Sequence, residues 1–237
     1  MAVEKTRRLV FLCSGGGGNL AFIHQMIERG RLPGISIVGV VTDRHCQAND
    51  FSTRNGLRNA YVDFKFEGQG NLLAILDELA PDLIITTVHK ILLPAIVERY
   101  RGRLINLHYS LLPAFGGLIG SQPVQSSLDY GVLFSGVTVH LVDESVDGGR
   151  PLSQGVIALR EKESIDDLMQ VVFRCGCAAL LSAITHTLMK AEEPSAPSSL
   201  NILGRLCLFN GGNSAPKKVM ESEEFWHELR RSLDTRH

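Results

Sequence analysis

No surplus of positive charge, no membrane-length apolar run and no paired cysteine framework stand out in this chain. Each absence narrows what it can do. Lys and Arg number 24 against 25 Asp and Glu, a formal charge of −1. Binding to a nucleic-acid backbone needs a basic footprint, so nucleic acid is not an expected partner. No apolar stretch approaches the about 18 residues of a membrane span. Arg7-Arg8 leads only into Leu9 to Cys13 before Ser14 and a glycine run, too short for a secretory signal. The expectation is a cytoplasmic protein with no membrane segment. Cys13, Cys46, Cys175, Cys177 and Cys207 are an odd number, scattered along the chain, which argues against a disulfide scaffold. Cys175 and Cys177 stand two apart on an expected helix, on different sides, with no second pair at ligand spacing, so no metal is expected. These thiols read as small core residues.

What is present is a soluble chain of 237 residues, 44% hydrophobic, sized for one domain and an appended subdomain. Leu9 to Cys13 is a continuous apolar run, as in a central parallel strand covered on both faces. Ser14-Gly15-Gly16-Gly17-Gly18-Asn19 follows, then an amphipathic helix from Leu20 to Arg29. Strand, glycine loop and helix form a geometry that accepts an anion on backbone N–H groups. The loop has no Gly-Lys-Ser/Thr, and Leu20 stands where the third glycine of a dinucleotide fingerprint belongs. Asp43, after a strand over Ile35 to Thr42, lies where a ribose-binding acid would sit, so a nicotinamide enzyme is a rival reading. Strands expected at Tyr61 to Phe64 and Asp82 to Thr87 alternate with helices at Gln47 to Asn55 and Asn71 to Ala80. The fold class is therefore α/β with a doubly wound, mostly parallel, Rossmann-like sheet.

The stretch that organises the chain is Asn106-Leu107-His108-Tyr109-Ser110-Leu111-Leu112-Pro113. Arg103 to His108 reads as a strand with period-two alternation, placing Leu104, Asn106 and His108 on one face and Ile105 and Leu107 on the other. An amide and an imidazole thus sit side by side at a strand's carboxyl end, where open α/β sheets bind ligands. Taken alone, the pair is equally a satisfied Asn and His capping a strand. Further on, Gly136 to Val142 alternates and enters an acidic loop ending in Asp147-Gly148-Gly149. Ser110 makes a serine hydrolase a formal rival, but no Gly-x-Ser-x-Gly turn exists in the chain.

Together the Asn-x-His-x-Ser-Leu-Leu-Pro segment, the later Val139-His140 strand and the Asp-Gly-Gly loop resemble the folate-dependent formyltransferases, closest to the phosphoribosylglycinamide branch. The likeness covers roughly residues 8 to 190. It implies a catalytic domain over 1–190 and 10-formyltetrahydrofolate as formyl donor, without a metal; residues 191–237, beyond the likeness, read as a linker and a small C-terminal cap. It implies Asn106, His108 and Asp147 as catalytic residues, with Asn106 and a protonated His108 stabilising a tetrahedral oxyanion and Asp147 keeping His108 charged and moving the proton. A folate slot would involve Lys90, Ile91, Leu92, Val97 and Leu104, with Val142, Asp143, Glu144 and Val146 from the acidic loop. Gly17, Gly18, Asn19 and Phe173 would face the amine acceptor.

The chain departs from the family's pattern at the acceptor end. Gly18 replaces a serine of the phosphate loop, Phe173 and Gly176 stand where the branch has hydrogen-bonding side chains, and the loop Ala114 to Ser121 is apolar. These departures favour a smaller, less anionic amine such as N5-hydroxyornithine of siderophore assembly. Phosphoribosylglycinamide of purine biosynthesis and a non-catalytic folate-binding module are the alternatives. Ser164-Ile165-Asp166-Asp167 is a helix start, with the helix running to about Met189. Glu192 to Ser199 is a Pro- and Ser-rich linker, Leu200 to Phe209 pairs as one or two strands, and Ser222 to Leu233 is an amphipathic helix. This last part is expected to pack as a cap or to form a homodimer contact.

Overall fold

Apolar runs become central strands. Leu9, Val10, Phe11 and Leu12 are fully buried in β1 (Arg7–Cys13), in a computed structural model that describes residues 6–65, 68–189, 196–210 and 215–234. Of the expected linker over Glu192–Ser199, residues 192–195 lie outside the described residues, and Ser198 and Ser199 already belong to a strand. The chain divides into two packing units: one runs as far as Ile105 and resumes at Trp226, and the other runs from Asn106 to Phe225. This line of division crosses the sequence boundary near residue 190.

In the first unit, β1, β2 (Ile35–Thr42), β3 (Asn59–Tyr61) and β4 (Leu83–Thr87) are parallel, in the order β3-β2-β1-β4. Helices α1 (Gly18–Glu28), α2 (Gln47–Arg54), α3 (Gln69–Leu79) and α4 (Pro94–Arg99) connect them. The architecture is the expected α/β class with a doubly wound, mostly parallel sheet. One local expectation shifts. The third strand ends at Tyr61, where the sequence reading begins it, and Phe64 is buried outside any strand. The short α4, opened by Pro94 at its first turn, carries too few residues to show a helical period. The last strand of the unit, β5 (Leu104–His108), crosses the boundary, with Asn106 and His108 on the far side of it.

In the second unit, α5 (Gln122–Tyr130), β6 (Phe134–Leu141), β7 (Pro151–Ala158), α6 (Ile165–Met189), β8 (Ser198–Ile202), β9 (Arg205–Phe209) and α7 (Lys217–Met220) follow in order. Strands β6, β7, β9 and β8 form an antiparallel run in that order. The C-terminal hairpin thus extends the sheet through β7. Its two-residue turn, Leu203-Gly204, has φ of 51° and 73°, the sign a tight hairpin turn demands. Ser164 Oγ accepts from Asp167 N at 3.1 Å, capping α6 as the sequence suggests.

Contrary to the composition-based expectation, α6 is long and apolar enough to cross a membrane. However, 78% of its most apolar window is buried inside the protein, as in a core helix. A β-carbon at Gly155 of β7 would lie 2.4 Å from Cys175 Sγ, so the helix can approach the sheet only because that position is glycine. The final helix, α8 (Glu223–Leu233), buries Phe225, Trp226 and Leu229. From Trp226 on it belongs to the first unit, where the Trp226 ring stacks on Phe22 of α1 at 5.7 Å.

The hairpin is tied down by an ion pair removed from water. Arg205 is 8% exposed and the Glu163 side chain 2%; Arg205 Nη2 donates to Glu163 Oε1 and Nη1 to Oε2 at 2.9 Å. Truncating one partner leaves a buried, uncompensated charge. Glu163→Ala is therefore expected to destabilise the fold by about 3–5 kcal/mol, while the double change Glu163→Leu/Arg205→Met recovers most of the loss. Urea unfolding followed by circular dichroism checks this, and a single variant as stable as wild type refutes it.

Candidate functional site

The second unit brings Asn106, His108 and Asp147 together. Asn106 and His108 alternate on β5, so both project from one side of the strand end. Asp147 is delivered by the loop between β6 and β7. Its own φ is 53°, and a β-carbon at Gly149 would lie 1.8 Å from the Leu141 carbonyl oxygen, so the turn closes only with glycine there. The result is one carboxylate at the centre of a polar cluster. His108 Nδ1 lies 3.4 Å from Asp147 Oδ2, and Asn106 Nδ2 lies 3.5 Å from Oδ1. Gly117 N–H donates to Oδ2 at 2.8 Å.

A fourth side chain joins them. His140 Nε2 stands 3.5 Å from Asp147 Oδ1 and 3.2 Å from Asn106 Nδ2. Its Nδ1 donates to the Leu141 carbonyl at 2.8 Å, a tautomer in which Nε2 accepts from the Asn106 amide. The sequence points to His140 through the Val-His strand but assigns it no role. Its contact with Asn106 spans 34 residues, which only the β5 and β6 geometry reveals.

His108 Nε2 donates to the Phe115 carbonyl at 3.1 Å, which turns Nδ1 toward the carboxylate. Phe115, with φ of 58°, holds a left-handed conformation unusual for an aromatic residue. Burial pushes the His108 pKa below its ordinary 6.5, against the raising pull of the Asp147 charge and the Phe115 carbonyl, and His140 lowers it further. This corrects the sequence expectation of a protonated His108: desolvation outweighs the carboxylate, and the neutral form dominates near pH 7. For Asp147, burial works toward a raised pKa. His140, the Gly117 N–H and the positive charge of either imidazole when protonated outweigh it and hold the carboxyl below its usual 3.8.

Both shifts have the same sign for stability. The unfolded chain takes up His108's proton more readily, so stability declines as the pH falls below 6.5; the Asp147 contribution, present above 3.8, is lost as the pH drops through the folded value.

The first unit carries the other expected residues. Gly17, with φ of 71°, caps α1, and Gly18 and Asn19 open its first turn at the positive end of the helix dipole. A β-carbon at Gly17 would meet Ala48 Cα at 3.0 Å, so α2 closes over the loop. Asp43 hydrogen-bonds Arg44 at 2.9 and 3.0 Å and its side chain is 3% exposed. It is engaged locally rather than presented as a ribose ligand. Ser14 Oγ accepts from the exposed His89's backbone N–H at 3.1 Å.

Among the slot residues, Lys90 and Ile91 are exposed, while Leu92 and Val97 are buried and Leu104 is fully buried. Val97 and Leu104 lie in the buried layer beneath the loop of Lys90 and Ile91. The loop that carries Lys90 to Leu92 is shaped by Gln69, which the sequence reading overlooked. Its buried amide donates to Phe64 O at 2.9 Å and Ile91 O at 3.0 Å, and accepts from Leu93 N at 2.7 Å.

In the second unit, Val142 and Asp143 are half-buried and Glu144 and Val146 exposed on the acidic loop. Phe173 is half-buried on α6. One turn on, a β-carbon at Gly176 would lie 3.1 Å from Leu107 Cδ2 and 3.2 Å from Tyr109 Cε1, so α6 rests directly on the back of β5. No group of three or more His, Cys, Asp or Glu able to hold a metal occurs among the described residues.

The chain belongs to the formyl transferase family, whose model matches residues 7–184. A phosphoribosylglycinamide formyltransferase of Mycobacterium tuberculosis is 32% identical over 189 residues, covering 76% of this chain and 86% of the relative. The chloroplastic phosphoribosylglycinamide formyltransferase of Vigna unguiculata is 30% identical over 172 residues. The match takes in 69% of this chain but 55% of that plant protein, so the chain spans little more than half its length. Among solved structures, the phosphoribosylglycinamide formyltransferase of Bacillus halodurans aligns with a TM-score of 0.73 at 25% identity, over 78% of this chain and 97% of that one.

The geometry makes a measurable demand on His108. Because the Asp147 carboxylate raises its pKa against burial, Asp147→Asn should move the His108 titration to still lower pH. Imidazole NMR shifts followed from pH 8 downward read this directly; an unchanged or higher midpoint means the carboxylate does not act on the ring.

Proposed function

We propose that the protein transfers a formyl group from 10-formyltetrahydrofolate to an amine nitrogen of a small molecule, without a metal. The observation that carries this reading is the convergence of Asn106, His108 and His140 on the Asp147 carboxylate in a chain that the formyl transferase model covers from residue 7 to 184. Catalysis is assigned to residues 1–190, with 191–237 as an extension of that domain.

The acceptor nitrogen attacks the formyl carbon, a C–N bond forms, and the carbonyl oxygen becomes an oxyanion. Asn106, held by His140 at 3.2 Å, turns its other amide N–H from Asp147 Oδ1, 3.5 Å away, to that oxygen. His108 meets the substrate uncharged. As the attacking nitrogen loses its proton, the imidazole and Asp147 take it up, the carboxylate 3.4 Å away stabilising the charge that develops. The same proton passes to the folate nitrogen as its bond to the formyl carbon breaks, so charge and atoms balance. His108's depressed pKa keeps it unprotonated and able to accept.

Phosphoribosylglycinamide is the acceptor we assign, on the names of the relatives. They lend no support to N5-hydroxyornithine, which the sequence departures favoured. One observation still favours a less anionic acceptor as a second reading. On α6, Gly176 is closed against Leu107 and Tyr109, Phe173 is apolar, and the intervening Arg174 is buried and bound to Glu223 at 2.9 Å. This stretch offers no uncommitted cation to a phosphate.

Asn106→Ala and His108→Ala are each expected to lower kcat at least about 100-fold with little change in folate affinity. Near-wild-type kcat in either variant would falsify the mechanism. The acceptor is decided by kcat/KM for phosphoribosylglycinamide against N5-hydroxyornithine with the same formyl donor: a ratio above one sustains the assignment, and a ratio below one transfers it to the hydroxylamine. Calorimetric folate binding without transfer to either amine would make the protein a binding module instead.

A further inference from the structure

The turn from Ser110 to Gly117 serves the site at its far end, where Phe115 gives His108 Nε2 a carbonyl and Gly117 gives Asp147 an N–H. Its near end is seated on one hydroxyl. Thr138 of β6 is fully buried, and its Oγ1 donates to the Ser110 carbonyl at 2.8 Å while accepting from the Leu112 N–H at 3.1 Å. A third bond comes from the next strand. Gln154, half-buried on β7, stands opposite Thr138 in the antiparallel ladder, and its Nε2 donates to Thr138 Oγ1 at 3.0 Å, with the Leu112 carbonyl 3.5 Å from the same nitrogen.

The direction of these bonds is fixed, because a hydroxyl has one proton and two lone pairs. With the proton committed to Ser110 and one lone pair to Leu112, only a donor fits the lone pair that remains, and the amide of Gln154 supplies it. The backbone of Gln154 is held as well. Gly155 of β7 pairs with Phe209, the last residue of β9, and Asn210 carries the pairing one residue further. Its Oδ1 accepts the Gln154 N–H at 2.5 Å, and its own N–H donates to the Gln154 carbonyl at 3.3 Å.

We infer that Gln154 is a positioning residue for formyl transfer, acting through Thr138 on the Ser110–Gly117 turn, and that Asn210 of the C-terminal extension holds it there; this rests on the reaction proposed above. His108 and Asp147 each take a hydrogen bond from the backbone of that turn, so the way the turn sits on Thr138 sets how the imidazole faces the carboxylate. A displacement of about 1 Å in such a constellation costs about 100-fold in rate, even when its origin lies away from the reacting atoms.

Four variants of the full chain, assayed with 10-formyltetrahydrofolate and the better of the two acceptors, test the inference. Gln154→Glu is isosteric but turns an acceptor toward Thr138, and it should lower kcat about 10–100-fold with KM for both substrates within about twofold of wild type. Gln154→Leu only leaves the lone pair empty and should cost less. Asn210→Leu should lower kcat as well, while Asn210→Asp keeps the accepting oxygen and should restore it. The downfield imidazole N–H proton of His108, protected by its bond to Phe115, should exchange faster in Gln154→Glu and Asn210→Leu and stay protected in Asn210→Asp. Wild-type kcat or an unchanged imidazole signal in Gln154→Glu overturns the role, as does a loss in Gln154→Leu equal to that in Gln154→Glu. If Gln154→Glu fails to fold, the Asn210 pair decides, and Asn210→Asp no better than Asn210→Leu overturns it. A wild type that formylates neither acceptor overturns the reaction itself, and the role with it.

Discussion

One buried anion governs the site. The Asp147 side chain is 14% exposed, and a carboxylate so far from water survives only when its lone pairs are filled. The Gly117 N–H and the Asn106 amide donate to it, and the imidazoles of His108 and His140 stand 3.4 and 3.5 Å away, placed to donate when protonated. Each partner is fixed in turn. His140 is pinned by the Leu141 carbonyl and His108 by that of Phe115. The backbone accepts left-handed conformations at Phe115 and Asp147 to complete the arrangement. These two non-glycine residues place backbone strain at both ends of the cluster.

That dependence explains the charge state of His108. The surroundings that keep Asp147 ionised also exclude water from the imidazole, and for a cation the loss of solvent outweighs one neighbouring carboxylate. The acid is thus held ionised and the base neutral. A sequence reading that places a His beside an Asp sees the attraction and not the desolvation. Burial is a property of the closed loop between Pro113 and Gly117, which the residue types do not reveal.

The legible and the hidden parts of the chain divide along the same line. Parallel strands were readable because burial on both faces leaves continuous apolar runs such as Leu9 to Leu12, and α6 because Ser164 caps it. Asn106, His108 and Asp147 were readable as a spaced motif. What stayed hidden depends on contacts distant in sequence. Gln69 looks like any helix-start amide, yet it shapes the loop at Ile91 to Leu93. His140 needs β5 beside it before its nitrogen means anything. Val97 and Leu104, which the family resemblance places on a ligand wall, are buried apolar residues, and core and pocket linings share that property. α6 shows the reverse: its apolarity is extreme, and it is a core helix because the sheet covers it.

The C-terminal extension shows how adding strands changes what a surface must do. By pairing β9 with β7, the hairpin turns what would be the edge strand of the run into an interior one and passes the exposed edge to β8. The inward residues of the new strands are absorbed: Cys207 and Phe209 are buried, and Arg205 is neutralised by Glu163. Their outward residues are not, and Leu206 and Leu208 widen the apolar strip begun by Phe134 and Val156. A hairpin that only sealed an edge would be selected for polar outward positions, as β8 itself has at Ser199 and Asn201. β9 instead carries leucines there, one strand in from the polar border, so pairing the hairpin seals the edge and at the same time leaves an apolar strip on the outward side.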